Sequence, residues 1–338
     1  KDELDTEFST VQTHTWFRDL CNRFVKSPKN YTNTFLWSEL ETPRPLSEYD
    51  LVHIHNSVPL LGMVQIAVKA RLCDIPYCIT THGISKVPEL PDQLNMSSPI
   101  RLAFKIGYLN PYFKVLENAA HLFALSDHDL DLLQRLFPKQ SVSVTPNGVR
   151  PKPSEISLSA DLPVSSEYML YVGKIRESKG IADLLNAYKQ IDYDIPLIVA
   201  GPPQNTSLVG KLEEINNIYY LGYVEKELLE YLYNNAELFV FPTRSDVFPL
   251  VTLEALASGT PVITTKVGGL PEQITEDVGM LVPPRSPSQL AEAINTLLAE
   301  PNRRQNLSQN AVGRAREEYS WDTVASTVAS KYEEVLSR

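Results

Sequence analysis

Nine short apolar runs, separated by segments of helical spacing, constrain the fold of this 338-residue chain more than any other feature. They read "YDLVHIHN", "PYCITTHG", "AHLFALSD" and "SVSVTPNGV", then "YMLYVGK", "PLIVAGPP", "ELFVFPT", "PVITTKVGG" and "GMLVPP". Strand-like runs that alternate with helical patterns make βαβ units, because joining parallel strands requires a crossover long enough to hold a helix. Many of the runs are apolar on both faces, as strands covered by helices on both sides must be. Most end in Gly, His, Asn, Asp or Pro. In a doubly wound sheet the carboxyl ends of the strands border the ligand crevice, so the chemistry is expected at those residues.

The length suits two domains. Residues 146–167, "PNGVRPKPSEISLSADLPVSSE", are rich in Pro and Ser, show no period, and read as the linker between four runs and five. Domains are expected at 1–148 and 149–319, with a closing helix over about 320–338 that packs back on the first domain. The net charge of −10 argues against a nucleic-acid partner. Its distribution is uneven: residues 1–148 hold 14 basic and 16 acidic side chains, residues 149–338 hold 17 and 25. Cys21, Cys73 and Cys78 have no metal-site spacing and cannot all pair, which suits a reducing compartment without structural disulfides. The most apolar window, "LVHIHNSVPLLGMVQIAVKA", is interrupted by His53, His55, Asn56 and Lys69 and is too polar to span a membrane. "KDEL" at residues 1–4 stands at the wrong end for a retention signal. The expected location is the cytoplasm, including the cytoplasmic face of a membrane.

"SDVFPLVTLEALASGTPVITTKVGGLPE", Ser245–Glu272, carries Asp246 and Glu254 eight positions apart. Asp246 falls in the loop after "ELFVFPT"; Glu254 falls about a turn into the helix described by "PLVTLEALASG". The backbone N–H groups of Leu250 and Val251, free at that helix start, suit a phosphate. The carboxylates cannot bind phosphate but suit sugar hydroxyls, so the layout fits a sugar nucleotide. Taken alone, the acids also fit a loop solvator and an exposed helix residue with Leu253 and Leu256 packed behind it. In "GKIRESKG", Lys174 and Lys179 follow a strand end and can neutralise a diphosphate, each charge-assisted contact being worth roughly 1.5–3 kcal/mol. In "KVGGLPE", Gly268 and Gly269 let backbone approach a ligand closely.

The order "THG", "PNGV", "YVGKIRESKG", "YLGYV", "FVFPT", "DVFPLVTLEALASGTPVI" and "VGGLPE" resembles the family 4 glycosyltransferases over about residues 49–337. The resemblance implies a GT-B fold, two Rossmann-like α/β domains facing each other across a cleft. It implies an enzyme that moves a hexose, by default glucose, from a nucleotide diphosphate sugar, by default UDP, to a hydroxyl of a glycan or lipid-linked glycan, with retention. Carried over by residue, Glu254 holds the donor ribose, Asp246 touches the donor sugar, and Lys174 and Lys179 stabilise the leaving diphosphate. Gly173, Phe248, Leu250 and Val251 complete the donor site, and His82 in "THG" faces the donor sugar. His53 and His55 are read as structural.

Some positions depart from the family pattern. Asp246 stands where Glu is usual, Pro249 where Gly is common, and Lys174 where Arg is more frequent, so a point charge replaces a fork. The opening strand and Gly-rich loop of the family are not recognisable, and the missing initiator Met suggests an N-terminus upstream. "DHDLD", residues 127–131, could be mistaken for a metal-binding motif, but it follows Ser126 at a helix start, where acids favour the helix dipole. No metal or cofactor is expected. "RLAFKIGYLNPYFK", residues 101–114, interleaves Arg101, Lys105 and Lys114 with aromatics and is a candidate for weak peripheral membrane contact, or equally a core helix with a basic edge. The alternatives to transfer are a sugar-nucleotide epimerase of similar fold and a noncatalytic sugar-nucleotide binder.

Overall fold

In the computed structural model, which describes residues 11–13, 38–40, 45–55, 60–84, 97–150 and 167–338, all nine apolar runs form strands. A short antiparallel pair, β1 (Val11–Thr13) and β2 (Ser38–Leu40), precedes them. The chain divides into two units, Lys1–Thr145 with Val328–Arg338, and Pro146–Thr327.

The first unit continues with β3 (Val52–His55), α1 (Leu60–Leu72), β4 (Tyr77–Thr80) and α2 (Ser98–Phe104). A π-helical turn, Lys105–Leu109, joins α2 to α3 (Asn110–Glu117); β5 (His121–Ala124), α4 (Asp127–Leu136) and β6 (Val142–Val144) follow. The sheet order is β3-β4-β5-β6, parallel throughout, with His55 opposite Thr80 and Thr80 opposite Phe123. Ile79, Tyr112, Leu116, Leu122 and Leu133 fill the core on one face. The Ser126 hydroxyl accepts the Asp129 N–H at 3.2 Å and caps α4, with Asp127 and Asp129 in the first turn favouring the helix dipole.

The second unit holds β7 (Met169–Val172), a 3-10 turn at Glu177–Lys179, α5 (Ile181–Tyr188), β8 (Leu197–Ala200), α6 (Thr206–Glu213), β9 (Ile218–Gly222) and α7 (Lys226–Asn235). Then come β10 (Leu238–Phe241), α8 (Leu250–Ala257), β11 (Val262–Thr265), α9 (Leu270–Gln273), β12 (Gly279–Val282), α10 (Pro287–Ala299) and α11 (Pro301–Glu317). The last helix, α12 (Trp321–Leu336), starts here and passes to the first unit at Val328. Its later turns bring Val328, Tyr332 and Val335 onto Cys78 and Phe123, the other face of the first sheet.

The second sheet is parallel in the order β12-β11-β10-β7-β8-β9. The chain builds outward from β7 to β9, then returns to lay β10 on the other side of β7. That reversal between β7 and β10 is the topological switch point, where a crevice opens beyond the strand ends. Strands β7, β8, β10 and β11 are buried along their whole length, which explains why they read as unbroken apolar runs. Sequence reading passed over β9 as a strand: it is the sheet edge, and Tyr219 and Tyr220 are only half buried.

The division after Thr145 falls three residues before the boundary drawn in sequence, and the second lies inside α12. Both crossing segments are tied into the second unit: Val149 N–H donates to the Tyr319 carbonyl at 2.7 Å, and Gly148 lies under the Trp321 indole. Residues 151–166 of the predicted linker, the "KDEL" at 1–4 and the N-terminal residues where the family places its Gly-rich loop lie outside the described residues. Among the described residues no helix is long and apolar enough to cross a membrane.

Candidate active site

Lys179 and Asp246, 67 positions apart in sequence, meet at the switch point: Lys179 Nζ lies 2.5 Å from Asp246 Oδ1, with both side chains largely enclosed. Lys179 ends the 3-10 turn that follows β7, and Gly180 after it has φ +74°. A Cβ at 180 would come within 1.8 Å of the Pro242 carbonyl oxygen, so only glycine lets this turn close onto the loop beyond β10. Arg244 holds the two segments together from the other side. Its N–H donates to the Ser178 carbonyl at 2.9 Å, and its guanidinium forms a bidentate pair with Asp183 at 2.7 and 2.8 Å. That pairing raises the Arg244 pKa, with the Asp183 hydrogen bond as its main cause. Phe241 supplies a wall, its ring centroid 5.5 Å from Lys179 Nζ.

The loop after β10 leads into α8, which opens at Leu250 with Pro249 as its cap residue and no side chain capping its amides. The first-turn N–H groups, Leu250 and Val251 among them, therefore offer the positive end of the helix to an anion. Gln273 Nε2 donates to the Pro249 carbonyl at 3.2 Å and steadies this start from behind. Leu250 is exposed, Val251 half buried, and Phe248 buried against Tyr319, with its carbonyl accepting from Asn147 Nδ2 at 2.9 Å. Glu254 is half buried and bears on the enclosed Tyr233. Burial first, then the charge and hydrogen bond of Glu254, push the Tyr233 phenol well above its ordinary range. Lys174 is exposed just past β7. Gly173 N–H donates to the Ala200 carbonyl at 2.9 Å, and its Cα faces the Tyr171 hydroxyl and Phe241.

Gly268 and Gly269 pack closely against the loop that carries Asp246. With φ +56°, Gly268 packs against Asp246, whose carbonyl oxygen would sit 2.1 Å from a Cβ at 268, and Gly269 N–H donates to the Val247 carbonyl at 2.7 Å. The glycine pair shapes the Asp246 loop.

His82 lies in the first unit, exposed just past the carboxyl end of β4, with φ +39°. Its ring centroid is 5.9 Å from that of His55, and desolvation followed by His55 lowers its pKa, favouring the neutral imidazole. His53 is half buried and held at both ring nitrogens: Nδ1 shares a 2.5 Å hydrogen bond with the Tyr332 hydroxyl and Nε2 one of 2.8 Å with Thr80 Oγ1. Of the "DHDLD" acids, Asp127 and the buried Asp129 serve the α4 start and Asp131 pairs with Arg135 at 4.0 Å; among the described residues no group of three or more His, Cys, Asp or Glu could hold a metal ion.

The structure thus joins Lys179 to Asp246 in the loop that leads into α8, and leaves Lys174 exposed just past β7. Sequence reading missed Thr243, Asp183 and Arg244, which hold the arrangement. The available signal was weak: a Thr and an Arg within three residues of Asp246, and an acid four residues after Lys179. Chemically, the arrangement offers an anchored cation and free helix amides for a diphosphate.

The chain resembles known glycosyltransferases over most of its length. The Glycosyltransferase Family 4 profile matches residues 8–152, and the Glycosyl transferases group 1 profile matches residues 155–314. An uncharacterized glycosyltransferase of Methanocaldococcus jannaschii is 27% identical over 308 residues, covering 85% of this chain and 76% of that protein. D-inositol 3-phosphate glycosyltransferase of Frankia alni is 28% identical over 316 residues, covering 86% and 75%. Among solved structures, sucrose-phosphate synthase from Thermosynechococcus elongatus superposes with a TM-score of 0.69 at 25% identity, covering 86% of this chain and 74% of that one. Anabaena HepE in complex with UDP does so with 0.71 at 20% identity, covering 85% and 79%.

Proposed function

Because the chain belongs to the family 4 glycosyltransferases of GT-B fold, we propose that it moves a hexose from a nucleotide diphosphate sugar to a hydroxyl of a glycan or lipid-linked glycan. The observation that carries this reading is Lys179 anchored by Asp246, in the loop that leads to the uncapped start of α8. A diphosphate seated there takes its counter-charge from Lys179 and Lys174, in place of a divalent cation, and its hydrogen bonds from the Leu250 and Val251 amides. Glu254 receives the ribose hydroxyls. Uridine is the default base: Anabaena HepE, a neighbour in fold, has been crystallised with UDP and with UDP-glucose.

The reaction proposed retains the anomeric configuration. The acceptor oxygen attacks C1 on the face the diphosphate leaves, the C1–O bond to phosphate breaks, and a leaving phosphate oxygen takes the acceptor proton. The proposed place of action is the cytoplasm, with the exposed side of residues 101–114 meeting an anionic membrane that carries the acceptor.

The test is a thermal-shift panel of UDP, GDP, ADP and their glucose conjugates, without metal, on the parent and on Glu254→Gln. A ligand at 100 times its Kd adds roughly 2.7 kcal/mol of stability. A shift with one base, lost in the variant, supports the donor site; no shift with any of them counts against it. Inversion at the product's anomeric carbon would overturn the proposed mechanism.

A further inference from the structure

We propose that Thr243 is a positioning residue for the donor diphosphate, its hydroxyl aiming the Lys179 ammonium through Asp246. The inference rests on the reading of Lys179 as the cation at the leaving group.

Thr243 is fully buried just beyond β10, and its Oγ1 donates to Asp246 Oδ2 at 2.5 Å. The other oxygen of the same carboxylate holds Lys179 Nζ at 2.5 Å. Asp246 is therefore gripped at both ends, by a side chain that cannot move and by the cation it orients. The Thr243 hydroxyl has one proton and two acceptors in reach. The Ser178 carbonyl, at 3.2 Å, is neutral and farther, so the carboxylate takes the proton.

The anchor itself is fixed on three sides. Thr265 Oγ1 donates to the Thr243 carbonyl at 2.5 Å, Thr243 N–H donates to the Phe241 carbonyl at 2.9 Å, and Ser245 N–H donates to Thr243 Oγ1 at 3.3 Å. On the lysine side, the turn is tied to the same loop by Arg244 N–H on the Ser178 carbonyl. What remains free is the lysine side chain, with four rotatable bonds. A leaving group is stabilised well only by a charge already in place, because a mobile one must be ordered as the reaction proceeds. Thr243 thus removes the freedom that the backbone contacts leave. Asp246, in this arrangement, works on the cation rather than reaching the sugar, as its side chain, one methylene shorter than the usual Glu, suits it to do.

Thr243→Val keeps the shape and removes the hydroxyl; Thr243→Ser keeps the hydroxyl. UDP-glucose consumption, read as UDP release, is measured for both, alone and combined with Lys179→Ala. The Lys179 Nζ resonance is followed in parallel in 15N-lysine-labelled protein, where its pairing with Asp246 slows proton exchange. Thr243→Val should lower kcat about 10- to 100-fold with KM little changed. Thr243→Ser should restore it, and Thr243→Val should add no further loss once Lys179 is Ala, as expected of two groups acting as a unit. The Lys179 resonance should survive in Thr243→Ser and vanish in Thr243→Val. A Thr243→Val protein that keeps the resonance overturns the inference, as does an equal kcat loss with and without Lys179, which marks a structural role. Unchanged turnover in Lys179→Ala would instead overturn the leaving-group reading, while the resonance still decides whether Thr243 positions the lysine.

Discussion

Lys179 carries two roles that a single substitution separates poorly: it balances Asp246 in the unliganded protein and faces the diphosphate in the reaction proposed. Lys179→Ala removes both, leaving Asp246 without its cation. Steady-state kinetics should show kcat lower by roughly 10²–10³, the loss typical of a removed electrostatic stabiliser. Glu254→Gln should instead weaken nucleotide binding, read by calorimetric titration with UDP. Gly268 is a structural counterpart. Its φ of +56° and the Asp246 carbonyl in the path of a Cβ both oppose substitution. Gly268→Ala should destabilise the protein by about 1–3 kcal/mol in chemical denaturation.

Two elements of the first unit carry expectations of their own. β3 meets α12 through His53, which burial, followed by the neighbouring His55, His82 and His121, pushes down to about 3. His121, on β5, is pushed down to about 4, again mainly by burial. Both are neutral in the fold at pH 7. As pH falls below about 6.5 the unfolded chain takes up protons that the fold refuses, so stability is complete above that value and declines toward pH 3. Thermal melts across pH 7 to 4 should show the decline, and His53→Gln should make it shallower. The second element runs from α2 through the π-helical turn to α3. Phe104, Tyr108 and Tyr112 point into the core, while Arg101, Leu102, Lys105 and Ile106 are exposed, Leu102 and Ile106 by 60% and 59%. An apolar pair flanked by cations suits an anionic lipid surface. The protein should co-sediment with anionic liposomes, and the double variant Leu102→Ser, Ile106→Ser should not; absence of binding in the parent removes the membrane reading.

For the whole molecule, α12 passes from one unit to the other: its first turns belong to the second, and Val328–Arg338 to the first. Truncation after Thr327 removes Val328, Tyr332 and Val335 from Cys78 and Phe123, and takes the hydroxyl from His53. Hydrogen exchange should then accelerate in β4 and β5 while β7 and β10 remain protected, since their sheet loses no contact of this kind. Much of this architecture was legible in advance. Buried parallel strands must be apolar on both faces, so β7, β8, β10 and β11 announced themselves. The edge strand β9 did not, because half-buried tyrosines satisfy no clear period.

By itself, the sequence determined two α/β domains with parallel strands, since alternating apolar runs are a local property, and the order of short motifs along the chain carried the resemblance that implied the GT-B fold. It also singled out Lys179 and Asp246 as residues of interest, because each follows a strand end. Tertiary structure alone decided what they do to each other. The meeting of Lys179 with Asp246, the grip of Thr243 and the Arg244–Asp183 brace join segments more than sixty residues apart in sequence or sit in loops without periodicity. Only the return of the chain from β9 to β10, beside β7, brings them together, and no local pattern encodes that crossover.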